Sequence, residues 1–532
     1  MTDLARRSLL AAPLALAAPA MVAAPAIVAA QGARSLRFVP QSDVTVLDPL
    51  WSTAFVSRNH AYLVYDTLYG MDADFNPQPQ MAEGHVVEDG GLTWIITLRP
   101  GLRFHDGEPV RAADAVASLR RWGSRDAFGQ ALFAATDELV ALDDRRLRFR
   151  LKKPFPLLPA ALGKTTVTVP FIMPERLART DAATQVSEII GSGPYRFVPG
   201  ERVAGARTVY SRFDGYVPRD GAPSFTSGGK VANLDRVEWV VMPDAATASA
   251  ALQAGEVDWW EQAVTDLLPT LRCNRNIEVS TLETSGWVGF LRFNHTQPPF
   301  NNPAIRRAIL GAINQADFMQ AIVGNNPDLW RGNVGVFTPG TPLASDEAMG
   351  ALTSPRDLDR VRRELAAAGY NGQRMVLIVP TDLPFLRAMS EVGADVFRRI
   401  GINLDYQALD WGTVLARRTS REPVERNGWS AFFTFGGGQD FASPAGHLGL
   451  RGNGTNGWIG WPESPELENL RNAWFDAPDL ASQQAIARRI QGQAMQDVPM
   501  IPLGQYFLAT AHRRNVTGIV PGAPLFWNVR KS

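Results

Sequence analysis

The stretch from Gly91 to Trp122, GLTWIITLRPGLRFHDGEPVRAADAVASLRRW, constrains the fold more than any other segment, because it spells out a strand, a turn and a helix without a gap. Thr93, Ile95 and Thr97 alternate with Trp94, Ile96 and Leu98, so one strand face is apolar. Arg99-Pro100-Gly101 turns the chain, and Leu102, Phe104 and a His105-Asp106-Gly107 turn read as the returning arm of a hairpin. Ala112-Ala113-Asp114 then opens a helix with Val116, Leu119 and Arg120 along one side. No catalytic chemistry resides in this unit.

Strand-rich and helix-rich stretches interleave along the rest of the chain. Ser35 to Val39 reads as a strand, followed by an amphipathic helix through Tyr62, Tyr65 and Leu68. Arg146 to Leu151 and Val237 to Val241 read as further strands, and Asp244 caps a helix that ends at Gly255. Trp287 to Asn294 is an apolar strand placed to cross between lobes. Asn301-Asn302-Pro303 starts one long helix, AIRRAILGAINQADFMQAIV. Met375 to Val379, a helix from Pro384 to Ile400, and Ile402 to Tyr406 make a strand, helix, strand unit, which points to an α/β class. A last helix spans about Ala481 to Met495, and the tail from Met500 to Thr510 returns as a strand.

The N-terminus bears on location. Arg6-Arg7 precedes an Ala/Leu/Val/Pro run that ends at Val28-Ala29-Ala30, so residues 1–30 read as a signal peptide with the mature chain starting near Gln31. Pro13, Pro19 and Pro25 argue against a membrane anchor. The paired arginines suggest the twin-arginine route, with Sec export as the alternative, and the expected location is the periplasm. A chain of 532 residues is too large for one core. Lys+Arg and Asp+Glu are equal at 53 each, so no net charge draws the protein to nucleic acid. The single cysteine, Cys273, rules out an intrachain disulfide and is expected to be a small buried residue.

Tyr65-Asp66-Thr67-Leu68, Gly91 to Arg120, Gly191-Ser192-Gly193-Pro194-Tyr195, Gly255-Glu256-Val257-Asp258, and Asn294 through Pro299-Phe300 to Arg306-Arg307-Ala308 together resemble the family 5 extracellular solute-binding proteins, the peptide- and nickel-type receptors of ABC importers. The resemblance covers nearly all of the mature chain. It implies a two-lobed periplasmic binding protein fold of the α/β class with an extra N-terminal subdomain and a hinge between lobes. On that pattern residues 31–71 and 189–285 build lobe I, 72–188 the inserted subdomain, 286–500 lobe II and 501–532 the return to lobe I. The crossings are expected near Leu282 to Asn294 and Gln496 to Gly504. The implied partners are a peptide or other small solute and an inner-membrane permease with its ATPase, the receptor acting as a monomer without nucleic acid and without a cofactor.

The resemblance also implies a site. Peptide-binding relatives carry, in a Gly-rich loop before a Pro, an Asp that pairs with the peptide α-amino group, and this chain reads Gly436-Gly437-Gly438-Gln439-Asp440 before Ser443-Pro444. Asp440 is therefore the expected ligand carboxylate, with Gly438 and Gln439 beside it. The competing reading makes Asp440 a turn cap; Ser443-Pro444 offers a helix N-cap and N1 pair of its own. By family position Trp51, Ser52, Thr53 and Phe55 line the cleft from the first lobe and Trp411 from the second, and each could equally be packing. Dipeptide-binding relatives bear a carboxylate-binding Arg before the helix at Pro384, where this chain has Thr381-Asp382-Leu383. Arg417 and Arg418 are candidates to replace it, against the common case of solvated helix arginines. The six His lack metal-ligand spacing, and only His447, near the Asp440 loop, is a candidate contact.

Enzyme readings fare worse. Gly452 to Gly457 fits G-x-G-x-x-G, but Trp458-Ile459-Gly460-Trp461-Pro462 follows it instead of a helix. No G-x-S-x-G, H-E-x-x-H, P-loop or CxxC occurs. An exported hydrolase and a peptide-binding sensor or chaperone without transport are the alternatives to an import receptor.

Overall fold

The computed structural model describes residues 34–532, so the expected leader and the cleavage point before Gln31 lie outside the described residues. Three sheets carry the architecture. In the first lobe seven strands lie in the order Tyr195–Phe197, Arg207–Arg212, Arg236–Val240, Ser35–Val39, Trp259–Ala263, Ala509–Arg513 and Ile277–Thr281. Ser35–Val39 runs parallel to both of its neighbours. Leu36 and Phe38 point to one face, where Trp239, Trp259 and Phe526 close around the Phe38 ring at centroid distances of 5.0–5.5 Å. Val39 and Trp260 serve the other face, under the helix Ala245–Ala254. That helix is capped by Asp244 and stopped by Gly255, whose φ of 80° is the left-handed conformation glycine adopts without a Cβ penalty.

The second lobe has a six-stranded sheet in the order Trp330–Arg331, Met500–Tyr506, Trp287–Phe293, Ala431–Gly437, Arg374–Pro380 and Asn403–Leu409. Arg374–Pro380 and Asn403–Leu409 pair in parallel through the helix Pro384–Arg399, the strand, helix, strand unit expected there. Every residue of Trp287–Phe293 is buried, as a strand covered on both faces requires. Between lobes the chain passes at 282–286 and at 507–508. The second passage corrects the boundary drawn after residue 500, because Met500–Tyr506 pairs with Trp287–Phe293 inside the second-lobe sheet.

Thr93–Leu98 lies in a four-stranded antiparallel sheet between Ala82–Glu88 and Arg146–Leu151, with Thr136–Ala141 at its edge. Residues 102–110 are not its hairpin partner. They close a small loop of their own, with Phe104 N–H donating to Glu108 O and Arg103 bridging to Pro109. His105 instead ties this loop to the glycine turn at 191–193: its N–H donates to Gly191 O at 2.9 Å, and its Nε2 lies 3.0 Å from Gly193 O. Two motifs far apart in sequence therefore form one junction.

Four further expectations need correction. The helix after Ala54 stops at Val64 and is buried along its whole length, hence not amphipathic. Helix Pro303–Leu310 ends before Gly311, and a second helix, Gln315–Val323, starts where the Asn314 side chain accepts from Ala316 N–H, so the local cap overrides the continuous apolar spacing. Ser443-Pro444 begins no helix, and residues 442–447 run as bends and turns. Cys273 is exposed at the end of the short helix Leu268–Cys273, whose buried contacts come from Leu268 and Leu271.

Candidate ligand-binding site

Strand Ala431–Gly437 delivers its C-terminal end to the junction of the lobes, and the chain then tightens into a 3-10 turn over Gly438–Phe441. The turn forms because the Asp440 carboxylate folds back and its Oδ2 accepts from Gly437 N–H at 2.7 Å. Gly438 is required at the next position. A Cβ there would sit 2.1 Å from the Ser285 carbonyl in the first interlobe passage, and Gly438 N–H already donates to Gly286 O at 2.8 Å. The turn is thus clamped against the passage between lobes.

One Asp440 oxygen does cap a turn, yet the residue also faces a cavity. Asp440 is 7% exposed. Burial raises its pKa, while the charges of Arg58 and Lys164 in the first lobe oppose the rise. With Asp440 around a small space of about 40 Å³ stand Gln41, Thr53, Phe55, Trp411, Arg418, Phe435, Gly436 and Trp458, drawn from both lobes. The Phe55 ring reaches across to stack on Phe435 at 5.4 Å and meets Trp287 edge-on at 4.8 Å.

Arg418 ends the helix face that begins at Trp411. Asp410 caps this helix by accepting from Thr413 N–H, and the Asp382 carboxylate accepts from the Trp411 backbone N–H at 2.8 Å, fixing the start of the helix. Trp411, Val414 and Arg418 follow at helical spacing and are all buried. Arg417, one position earlier, turns outward to Gln407 and the carbonyls of Asn427 and Gly428. The Arg418 guanidinium lies 5.6–5.7 Å from the Trp411, Phe432 and Trp458 rings and donates across the cleft to Thr53 Oγ1 at 3.1 Å. Burial lowers its pKa to about 9. Trp458 is held from behind by Arg292, whose guanidinium is buried and donates to the carbonyls of Ile459, Gly449 and Pro499.

Four N–H groups at this cavity have no hydrogen-bond partner among the described residues: Gln41 Nε2, Trp411 Nε1, Arg418 Nε and Trp458 Nε1. A buried donor without a partner costs on the order of 1–3 kcal/mol.

Two larger cavities flank the small one. Among the described residues, one of about 490 Å³ is bounded by Asp43, Asp266, Asp382 and Asp410 and by no basic side chain. The other, of about 800 Å³, is bounded among the described residues by Arg125, Arg418, Arg421 and Arg451 and by no acidic one. Trp411 belongs to the wall of the first, and Thr53, Arg418, Leu448 and Trp458 to the wall of the second.

Of the residues expected from sequence, Asp440, Trp411, Thr53 and Phe55 meet at the small cavity, and Trp51 and Ser52 line the basic one. Gly438 and Gln439 line neither, Gly438 serving the clamp instead. His447 is an interior residue: wholly buried, it lies with Nε2 2.7 Å from Val336 O between Phe337 and Phe441, and burial lowers its pKa to about 3. Gln41, Arg418, Phe435 and Trp458 were missed or undervalued. The spacing of Trp411, Val414 and Arg418 was the signal that separates Arg418 from Arg417.

The sequence model for bacterial extracellular solute-binding proteins, family 5 Middle, matches residues 76–457. The chain is 35% identical over 493 residues, 92% of each chain, to a probable peptide ABC transporter periplasmic-binding protein of Sinorhizobium fredii. It is 25% identical over 501 residues, 92% of each, to a glutathione-binding protein of Salmonella typhi. In fold it is similar to the A. tumefaciens R10 binding protein solved with agropinic acid, with a TM-score of 0.77 at 20% identity over 94% of this chain and 99% of that one. A family match over most of the chain, a full-length relative and a shared two-lobed fold lead to one conclusion: the chain belongs to the family 5 extracellular solute-binding proteins of bacteria.

Proposed function

We propose that this protein is the receptor of an ABC importer, capturing a peptide or peptide-like solute between its lobes in the periplasm and presenting it, as a monomer, to an inner-membrane permease. The observation that carries this reading is the small cavity in which Asp440 is the one carboxylate among the described residues, lined from both lobes by residues that carry unpartnered N–H donors. A desolvated carboxylate facing an ammonium is a strong charge-assisted contact, and the donors suit peptide carbonyls. The Sinorhizobium relative named as peptide-binding supports the same class of solute. Two narrow passages, at 282–286 and 507–508, suit rotation of two rigid lobes. A solute that touches both lobes adds contacts present only in the closed state and so shifts the population towards it. Residues 1–30 fit this role as a leader removed on export, and no helix among the described residues is long and apolar enough to cross a membrane.

Native mass spectrometry of the purified protein, followed by calorimetric titration with the compound it retains, tests the reading. One unaltered solute per chain is expected. Recovery of a cleaved or otherwise transformed compound would favour an exported hydrolase, and binding in a strain whose uptake is unaffected by deleting the gene would favour a sensor.

A further inference from the structure

The charge of the cleft is divided, and the division bears on the solute. Arg418 is 4% exposed, lies against three aromatic rings, keeps an unpartnered Nε and faces both the small cavity and the 800 Å³ cavity. Among the described residues its one hydrogen bond goes to the Thr53 hydroxyl, and no carboxylate lies within ion-pair distance. A guanidinium taken out of water without an anion is costly, and breaking or omitting its pairing is felt strongly because the charge stays buried. Two more arginines of the same wall are exposed and carry no ion pair among the described residues. Arg125 lies 4.9 Å from the Trp51 ring and donates to Ala182 O, and Arg421 lies 4.9 Å from the Trp461 ring and donates to Thr455 O. Only Arg451 meets an acid, with Nε 3.5 Å from Glu468.

Resting on the receptor reading above, we infer that the solute is an acidic peptide, its ammonium on Asp440 and its carboxylates against Arg418, Arg125 and Arg421. The planar guanidinium fork of each arginine matches a carboxylate in two-point contact, and the aromatic rings hold the forks in place. Asp440 and Arg418 both line the small cavity, and Arg418 also lines the basic one, so a single extended molecule would reach both charges. The aspartate-lined cavity adjoins the basic one at Thr45, Gly412 and Leu415 but has no arginine in its own wall, so the divided field also sets which way round the peptide lies.

Three tripeptides of like size, Ala-Glu-Glu, Ala-Gln-Gln and Ala-Lys-Lys, titrated calorimetrically into the full mature protein, test the inference. Ala-Glu-Glu is expected to bind at least tenfold tighter than Ala-Gln-Gln, with Ala-Lys-Lys weakest. Arg418→Gln should erase most of the preference. Because Arg418 is buried, the exposed pair Arg125→Gln and Arg421→Gln provides the independent arm: together they should narrow the Glu-over-Gln ratio at least threefold with the melting temperature unchanged. Equal binding of the Glu and Gln peptides to the wild-type protein, or a ratio untouched in the Arg125→Gln, Arg421→Gln protein, overturns the inference and leaves the receptor reading standing. If none of the three binds, the peptide reading falls together with it.

Discussion

The aspartate-lined and arginine-lined cavities lie on either side of the same small chamber, yet they use their charges differently. On the acidic side three of the four carboxylates are already engaged with the protein backbone. Asp410 caps its helix, Asp382 accepts from Trp411 N–H, and Asp43 accepts from Gly205 N–H at 2.8 Å. On the basic side three of four arginines meet only hydroxyl, carbonyl and aromatic groups. The difference teaches that counting charges around a cleft is not enough. Carboxylates consumed by backbone N–H groups stabilise loops, whereas a buried guanidinium left without an anion, as at Arg418, stores a cost that an anion can relieve.

The largest expected effect tests the chamber between the two sides. Asp440→Asn should weaken binding of an amine-bearing peptide by about 2–5 kcal/mol, mostly through the off-rate, because it leaves an ammonium buried without its partner. The asparagine retains an oxygen for Gly437 N–H, so the ligand-free protein should melt close to the wild type, while Asp440→Ala also loses the cap, worth about 1 kcal/mol. Titration and thermal melting on both variants separate the roles. Unchanged affinity in the Asn variant would move the ammonium site to the aspartate-lined side.

Next in size is a pH effect at the back of the acidic side. Glu261 is buried, accepts from Gln41 N–H and Asn59 Nδ2, and burial raises its pKa from 4.5 to about 7. The native state therefore holds this proton over a range in which the unfolded chain has released it. Its contribution to stability is complete below pH 4.5 and is lost as pH rises through about 7, by about 3 kcal/mol. Denaturant titrations from pH 4.5 to 8 should show that decline, and Glu261→Gln should flatten it. A profile that rises with pH over this window would mean that Arg58 holds the carboxylate ionised.

The clamp between the lobes comes third. Gly438→Ala places a Cβ against the Ser285 carbonyl and should cost about 1–3 kcal/mol of stability, the usual range for overpacking. It should shift affinity for acidic and neutral peptides alike, since it alters how the lobes meet and not the charge they present. Selective loss of the acidic peptide would show that the clamp itself orients Arg418.

The smallest effect sharpens the contrast directly. Asp266→Asn on the acidic side should change stability by less than about 0.5 kcal/mol, as a surface substitution does, and leave Ala-Glu-Glu binding nearly unchanged. Arg421→Gln on the basic side should weaken it, more so at low salt, where exposed charges are least screened. Equal responses from the two variants, measured by titration at two salt concentrations, would mean that both cavities act only as a distant field.

Much of this molecule is legible from local pattern. The alternation at Thr93–Leu98, the Asp244 cap and Gly255 stop around Ala245–Ala254, and the parallel pair joined by Pro384–Arg399 all follow from contacts within a few residues, where periodicity and capping act. The family signatures likewise sit in contiguous segments, so the two-lobed class could be reached without coordinates, and Asp440 could be named as an expectation. What failed locally failed for local reasons too, as when Asn314 split one apolar helix into two.

Only the tertiary structure decided which polar groups face each other without water. Arg417 and Arg418 are neighbours of the same type, but the lobe opposite and the Trp458 loop bury one, and a carbonyl-rich edge takes the other. His447 sits seven residues from Asp440 and is interior, because Val336 and Phe441 close over it. Desolvation and pairing depend on what lies across the fold, often hundreds of residues away, and that information is absent from any window of the sequence. The chain's order of residues thus determined its elements and its family, while the meeting of two lobes determined that Arg418 shares a cavity with Asp440.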